Sequence, residues 1–208
     1  MHVVFDMDGV LLDSQAELGW LDRALDETLQ AFDIEPTPER RELLYPPNLR
    51  NFEQAAKDLG VPPAELWPVR HRHYVQEKER ALKTGQIVPF PDIQQVHTLA
   101  QEHPVSIISN SPESIVETFV AVADLDAVVA HWIGRGDDLE TIERMKPDPA
   151  FYEDLVDRAG PDEYVYVGDT SSDALFAQRT GMDFVHLDRS GGQVSSLAGA
   201  IELIRGGN

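Results

Sequence analysis

Asp6 and Asp8 stand one residue apart in Asp6-Met7-Asp8-Gly9, directly after the apolar run His2-Val3-Val4-Phe5. Two carboxyls at that spacing can divide a group transfer, one attacking as nucleophile while its neighbour carries protons. Other positions hold complementary groups. Ser109-Asn110 follows the apolar residues 105–108, and Gly168-Asp169 follows 164–167 with Asp173 four residues on. Lys146 lies just before Asp148-Pro149, where Asp148 reads as a helix N-cap and Pro149 as the first helical residue. Four carboxylates held together repel, so some must take up protons unless a cation joins them. An all-oxygen set selects a hard divalent ion over zinc or copper, and Mg2+ suits it because it keeps places for water and a phosphate oxygen. Lys146 and the Ser109 hydroxyl would then meet the charge of a transferring phosphoryl group.

Such groups converge only if the runs that carry them lie side by side. Residues 2–5 read as a buried strand, and apolar runs at 105–108, 127–133, 164–167 and 184–187 read the same way. Helical patterns separate them near 93–102, 113–122, 150–159 and 172–180, with a last helix at 193–204. Strands alternating with helices predict a parallel sheet in a three-layer, Rossmann-like α/β domain. Ligands of such sheets gather beyond the carboxyl ends of the strands, which is where the polar residues above fall.

Residues 14–85 break the rhythm. They hold no strand signal, and Leu18, Leu21, Leu25, Leu29 and Phe32 recur at helical spacing. Pro46-Pro47 ends one helical stretch, Asn48 caps the next, and Gly60 to Pro63 precede a long helix ending near Leu82. The expected organisation is a core of residues 1–13 and 86–208, interrupted by a helical cap domain at 14–85.

Composition narrows the setting. The 208 residues contain no cysteine, which excludes disulfides, thiolate catalysis and zinc-thiolate sites. No apolar run approaches the ~20 residues of a membrane span, and no basic segment precedes the first apolar one, so the expected location is cytoplasmic. A formal net charge of −20 argues against nucleic acid and anionic membranes as partners. Lysine occurs only at positions 57, 78, 83 and 146. Acidic excess with scarce lysine favours a halophilic origin over an ordinary acidic protein.

Taken in order, Asp6-Met7-Asp8-Gly9-Val10, Ile108-Ser109-Asn110, Lys146-Pro147-Asp148-Pro149 and Gly168-Asp169-Thr170-Ser171-Ser172-Asp173 resemble the four motifs of the haloacid dehalogenase-like hydrolases. The helical insertion between the first two looks like that family's cap, as in its phosphoglycolate phosphatase and β-phosphoglucomutase branch. The resemblance implies an Mg2+-dependent phosphatase acting on a small phosphorylated metabolite through a phospho-aspartate. Asp6 would be nucleophile and metal ligand. Asp8 would protonate the leaving oxygen, activate water, and touch the metal through its carbonyl. Ser109 and the Asn110 amide would bind the phosphoryl group, Lys146 would neutralise it and Asp6, Asp169 would ligate Mg2+, and Asp173 would complete or orient the metal shell.

Other features are read as structural. Arg70-His71-Arg72-His73 is expected on a solvated helix face, paired with nearby acids, since positions i and i+2 diverge. Arg50 is not taken as an anion contact, the three tryptophans are assigned to packing, and Asp137-Asp138 with Glu140 and Glu143 to an acidic surface. Three rival functions stand beside the phosphatase. A sugar-phosphate mutase shares the paired acids and differs in water exclusion. A 2-haloacid dehalogenase has no use for Asp8 or Mg2+, and an inactive binding module would have lost a motif. The oligomeric state is not legible.

Overall fold

A computed structural model of the chain describes residues 1–45 and 48–206. Five strands form one parallel sheet: β1 (His2–Phe5), β4 (Val105–Pro112), β5 (Val129–Arg135), β6 (Tyr164–Gly168) and β7 (Asp183–His186), in the order β5-β4-β1-β6-β7. β1 is central. The chain builds outward from it on one side through β4 and β5, then returns to build β6 and β7 on the other. The crevices beside β1 are therefore where the strand order reverses, the place such sheets offer to ligands. Phe5 is level with Ile107 and Val167, so Asp6 leaves the sheet alongside Ile108 and Gly168.

Alternation along the strands builds two apolar layers. Val3, Phe5, Val105, Ile107, Val165 and Val167 pack with α5 (Gln95–Leu99), α6 (Glu113–Val122) and α9 (Leu197–Gly206). Val4, Ile108, Ile133 and Tyr166 face the other way, onto α7 (Ala150–Ala159) and α8 (Ser171–Thr180). The result is the three-layer α/β arrangement expected.

Between β2 (Leu12–Asp13) and β3 (Val88–Pro89), which pair antiparallel, run four helices: α1 (Gly19–Gln30), α2 (Pro38–Leu43), α3 (Leu49–Leu59) and α4 (Pro63–Thr84). They share a core of Leu25, Leu29, Leu44, Phe52, Ala56, Leu66 and Trp67. Trp20, Tyr74, Ala81 and Leu82 of α1 and α4 face the sheet's core instead. Asn48 caps α3 by accepting from the Asn51 N–H at 2.9 Å, as expected. The helix end expected at Pro46-Pro47 lies outside the described residues. No helix among the described residues is long and apolar enough to cross a membrane.

Several boundaries differ from expectation. β5 starts at Val129, because Leu125 and Val128 are used in the turn that closes α6. The expected 93–102 helix shrinks to five residues flanked by turns, and α9 begins late because the Val194 carbonyl accepts from the Asp188 N–H. β4 runs on to Pro112 through a register shift, so Ser109 and Asn110 lie within it rather than after it. α7 begins at Ala150, one residue past Pro149, although the Asp148 carboxylate accepts from the Ala150 N–H at 3.0 Å.

Candidate active site

The end of β1 presents Asp6, and the end of β6 presents Asp169. Gly9 brings the intervening turn against them: its φ is +81°, and a Cβ there would stand 2.2 Å from Asp169 Oδ2. Gly168 does the same for the next helix, since a Cβ on it would meet Asp173 Cβ at 2.5 Å. Asp173 sits in the first turn of α8, where it and Thr170 form a reciprocal capping box.

One carboxylate oxygen each from Asp6, Asp169 and Asp173 falls within 4.8 Å of the others. Lys146 is buried among them, its Nζ 2.9 Å from Asp6 Oδ1 and 2.7 Å from Asp173 Oδ1, and it donates to the Tyr166 hydroxyl at 2.7 Å. Asn110 fixes the lysine's backbone, its Oδ1 accepting from the Lys146 N–H at 2.8 Å. Burial pushes the Asp6 carboxyl up to about 8 against the pull of Lys146. Burial, aided by the Asp173 charge, raises Asp169 to about 6. For Asp173 burial works upward too, but Lys146 and the Thr170 hydrogen bonds outweigh it and hold the carboxyl low. The cluster thus carries more negative charge than one lysine balances.

A cation fits that deficit. Asp169 Oδ1 is buried with no hydrogen-bond partner, and among the described residues Asp6 Oδ2 accepts from none, while Oδ1 takes both Lys146 and the Met7 N–H at 2.7 Å. Asp173 has less to give. Its Oδ1 accepts from Lys146, and its Oδ2 accepts from the Thr170 N–H at 3.0 Å and hydroxyl at 2.6 Å.

Asp8 faces the helical segment. Its Oδ1 accepts from Lys78 Nζ of α4 at 2.7 Å, and its Oδ2 from the Ser111 hydroxyl at 2.8 Å. Burial alone would raise the Asp8 carboxyl, but Lys78, with Ser111 and Ser14, overrides it and holds the group low. Ser109 is buried in β4 and its hydroxyl accepts from the Ser111 N–H at 3.1 Å. Surface depressions lie elsewhere: one of about 400 Å3 touches Glu113, Arg144 and Arg158, and one of about 500 Å3 touches Met1 and Tyr152. α4 reaches this edge of the sheet at Asp8, through Lys78.

Lys78, Ser111, Ser14 and Tyr166 escaped the sequence reading. For Lys78 a signal existed: it shares a helical face with Trp67, Tyr74 and Ala81, and a lysine on an apolar face of a lysine-poor chain has a reason to be there. Of the solvated, acid-paired face expected for residues 70–73, the pairing holds at the two histidines and the solvation needs correction. Only Arg72 is exposed; Arg70 is buried beneath aromatic rings, His71 meets Asp137 at 3.1 Å, and His73 meets Glu27 at 3.0 Å. α1 and α6 flank α4, and what stays solvated is the stripe through Pro68, Arg72 and Gln76. Arg50, Asp137, Asp138, Glu140 and Glu143 are exposed, Trp20 and Trp67 are buried, and Trp132 is partly buried against the core.

Lys78→Met is expected to destabilise the fold by about 3 kcal/mol, because it strands the Asp8 charge and loosens α4 from the sheet. Urea unfolding with proteolysis at the β2 and β3 connections would measure both. An unchanged midpoint would remove the pair from the forces that hold α4 down.

The sheet order, the acids at its carboxyl edge and the inserted helices define a Rossmann-like α/β core with an α-helical insertion after its first strand. The haloacid dehalogenase-like hydrolase family model matches residues 3–187, and the chain belongs to that family. No functionally curated protein matches it. Among solved structures it is similar to a 2-haloacid dehalogenase of Pseudomonas syringae pv. tomato, with 23% identity, a TM-score of 0.66 and 100% of each chain covered. A predicted phosphoglycolate phosphatase of Haemophilus somnus matches at 20% identity and TM-score 0.64, covering 89% of this chain and 84% of that one. A HAD-type hydrolase of Bacillus subtilis, described as bound to magnesium and showing interdomain movement, matches at 15% identity and TM-score 0.66, with 98% of each covered. At these identities the likeness concerns the fold.

Proposed function

We propose that this chain is an Mg2+-dependent phosphatase of small organic phosphate monoesters that works through a phospho-aspartate on Asp6. The carrying observation is the tight group of Asp6, Asp169 and Asp173 oxygens with Asp169 Oδ1 buried and unpartnered. A dehalogenase attacking carbon needs no cation there and no second acid beside the nucleophile.

Asp6 and Asp169, with the Asp8 carbonyl, would hold Mg2+, which supplies charge for the phosphoryl oxygens when bound. Asp173 positions Lys146 and closes the start of α8 rather than spending an oxygen on the metal. Asp6 Oδ2 attacks phosphorus as the ester P–O bond breaks, and the departing oxygen takes the proton of Asp8. Water then attacks phosphorus, returns its proton to the Asp8 carboxylate, and frees Asp6 and inorganic phosphate. Lys146, the Ser109 hydroxyl and the Asn110 amide meet the charge on the transferring group. The Lys78 contact favours ionised Asp8, the form the water step uses, so the proton given to the departing oxygen is one that Asp8 takes up from solvent before Lys78 closes on it. Residues 14–85 act as a cap that covers the acids and must lift for substrate to enter.

Phosphate release from p-nitrophenyl phosphate tests the reading. Stripping the metal with EDTA is expected to cut turnover by about a thousandfold, with recovery on adding Mg2+. Full activity in EDTA would discard the metal, and halide release from 2-chloropropionate without phosphate release would favour the dehalogenase. The acidic surface is in keeping with a cytoplasmic, salt-adapted setting, and nothing in the site calls for nucleic acid or membrane.

A further inference from the structure

Two guanidinium groups, on α4 and at the end of β5, are buried without a carboxylate partner among the described residues. Arg70 of α4 is 7% exposed and Arg135, at the end of β5, 3%. Among the described residues no carboxylate lies within ion-pair distance of either. Of the other arginines, Arg23, Arg41, Arg80, Arg144, Arg158, Arg189 and Arg205 each meet an Asp or Glu, and Arg40, Arg50, Arg72 and Arg179, which meet none, are open to solvent at least in part. Acids are plentiful, 37 against 17 basic residues, so their absence here is not a shortage. An arginine cannot shed its charge, and burying it without a counter-ion is costly.

The two groups are not equally committed. Arg135 donates to the Gly136 carbonyl at 3.1 Å, approaches His71 Nδ1 at 3.4 Å, and stacks 4.7 Å from the Trp67 ring. Arg70 spends only Nε, on the Leu44 carbonyl at 3.1 Å; its terminal nitrogens have no acceptor among the described residues. Its guanidinium is flanked by Tyr45, Trp67 and Tyr74, at 5.8, 5.7 and 4.7 Å from the ring centroids. Tyr45 is largely exposed and forms the outer wall. Tyr74 separates this group from the proton-handling one, since Lys78 Nζ lies 5.7 Å from the same ring and 2.7 Å from Asp8. Positions 70 and 78 are two helical turns apart, ~12 Å along the axis.

We propose that the free fork of Arg70, backed by the Arg135 charge, receives a carboxylate at the far end of the substrate, making the preferred substrates ω-phosphooxy carboxylates whose spacer passes the Tyr74 ring. A planar fork with two parallel donors matches a carboxylate, and aromatic walls suit the methylene spacer. This inference rests on the phosphatase reading and adds to it the chemistry of the non-reacting end.

The test compares kcat/KM for matched esters: phosphoglycolate against ethyl phosphate, 4-phosphooxybutyrate against butyl phosphate, and 1,4-butanediol bisphosphate as the competing anion. In the wild type 4-phosphooxybutyrate is expected to exceed butyl phosphate by about tenfold or more, with a smaller advantage for the shorter phosphoglycolate. Arg70→Gln should bring the longer pair's ratio close to one, and Arg70→Lys should restore it in part. Equal rates for charged and uncharged partners in the wild type would overturn the inference while leaving the phosphatase standing. A bisphosphate preferred over the carboxylate would overturn it as well, and would make the far-end anion a phosphate. If no ester is hydrolysed, the phosphatase reading itself falls. The wild-type ratios decide the matter even should the Arg70 variants fail to fold.

Discussion

Asp6→Asn is expected to lose phosphatase turnover by roughly 10^4-fold or more, because the other carboxylates there have other tasks, Asp169 with the metal and Asp8 with the proton. Asn keeps the shape of the side chain and can still face Lys146, so the loss reports chemistry rather than packing. Stability should move in the other direction in metal-free buffer. Burial holds the Asp6 carboxyl up at about 8 in the folded protein, above its unfolded value, so the folded state binds the extra proton between those limits. That group therefore stabilises the fold at low pH, and its contribution is lost as pH rises toward 8. Asn cannot ionise and should flatten this part of the slope. Phosphate release together with urea midpoints at pH 5 and pH 8 in EDTA checks both halves. Residual turnover within tenfold of wild type would dismiss Asp6 as the nucleophile.

Lys146→Met should be the more damaging change to the fold. Its ammonium is the one cation set directly between Asp6 and Asp173, and it also holds Tyr166. Removing it leaves two buried carboxylates facing each other, which costs about 3–5 kcal/mol for a broken buried pair. Turnover should fall by about 10^2–10^3-fold from the lost charge at the phosphoryl group. Urea unfolding with added Mg2+ separates the two effects, since bound metal replaces part of the missing positive charge. A stability loss under about 1 kcal/mol would mean that the ammonium is not what balances these acids.

Legibility in the sequence followed distance along the chain. Residues 2–5 announced a buried strand because both faces are apolar, and Asp6 had to leave the sheet at their end. Asp169 was legible for the same reason, while Asp173, four residues on, belongs to the first turn of α8, where capping takes its side chain. Their convergence with Lys146 was an expectation from strand order, and the coordinates place all four together. The side-chain work of Asn110 was not legible, since its partner lies 36 residues away. Nor was the inward face of α4. Trp67, Tyr74 and Ala81 mark that side, but Arg70, Glu77 and Lys78 interrupt it with charge, so periodicity alone left it ambiguous. The extension of β4 past Ser109 was hidden because Asn110, Ser111 and Pro112 carry turn chemistry locally while neighbouring strands held them extended.

If residues 14–85 act as the proposed cap, the short ribbon of β2 and β3 is where it would turn. Only two residue pairs join there, Leu12 with Pro89 and Asp13 with Val88, and both chain crossings to the four helices pass through it. It lies four residues beyond Asp8, so the fulcrum sits almost beneath the proton carrier. Swinging about it, α3 at the far end would sweep a long arc while Lys78 retreats only slightly. A hydrogen bond of 2.7 Å is broken by a retreat of an ångström or so, on the order of one bond's tolerance. A small rotation is therefore enough to unlatch Asp8, long before the lever has moved far enough to admit a bulky molecule.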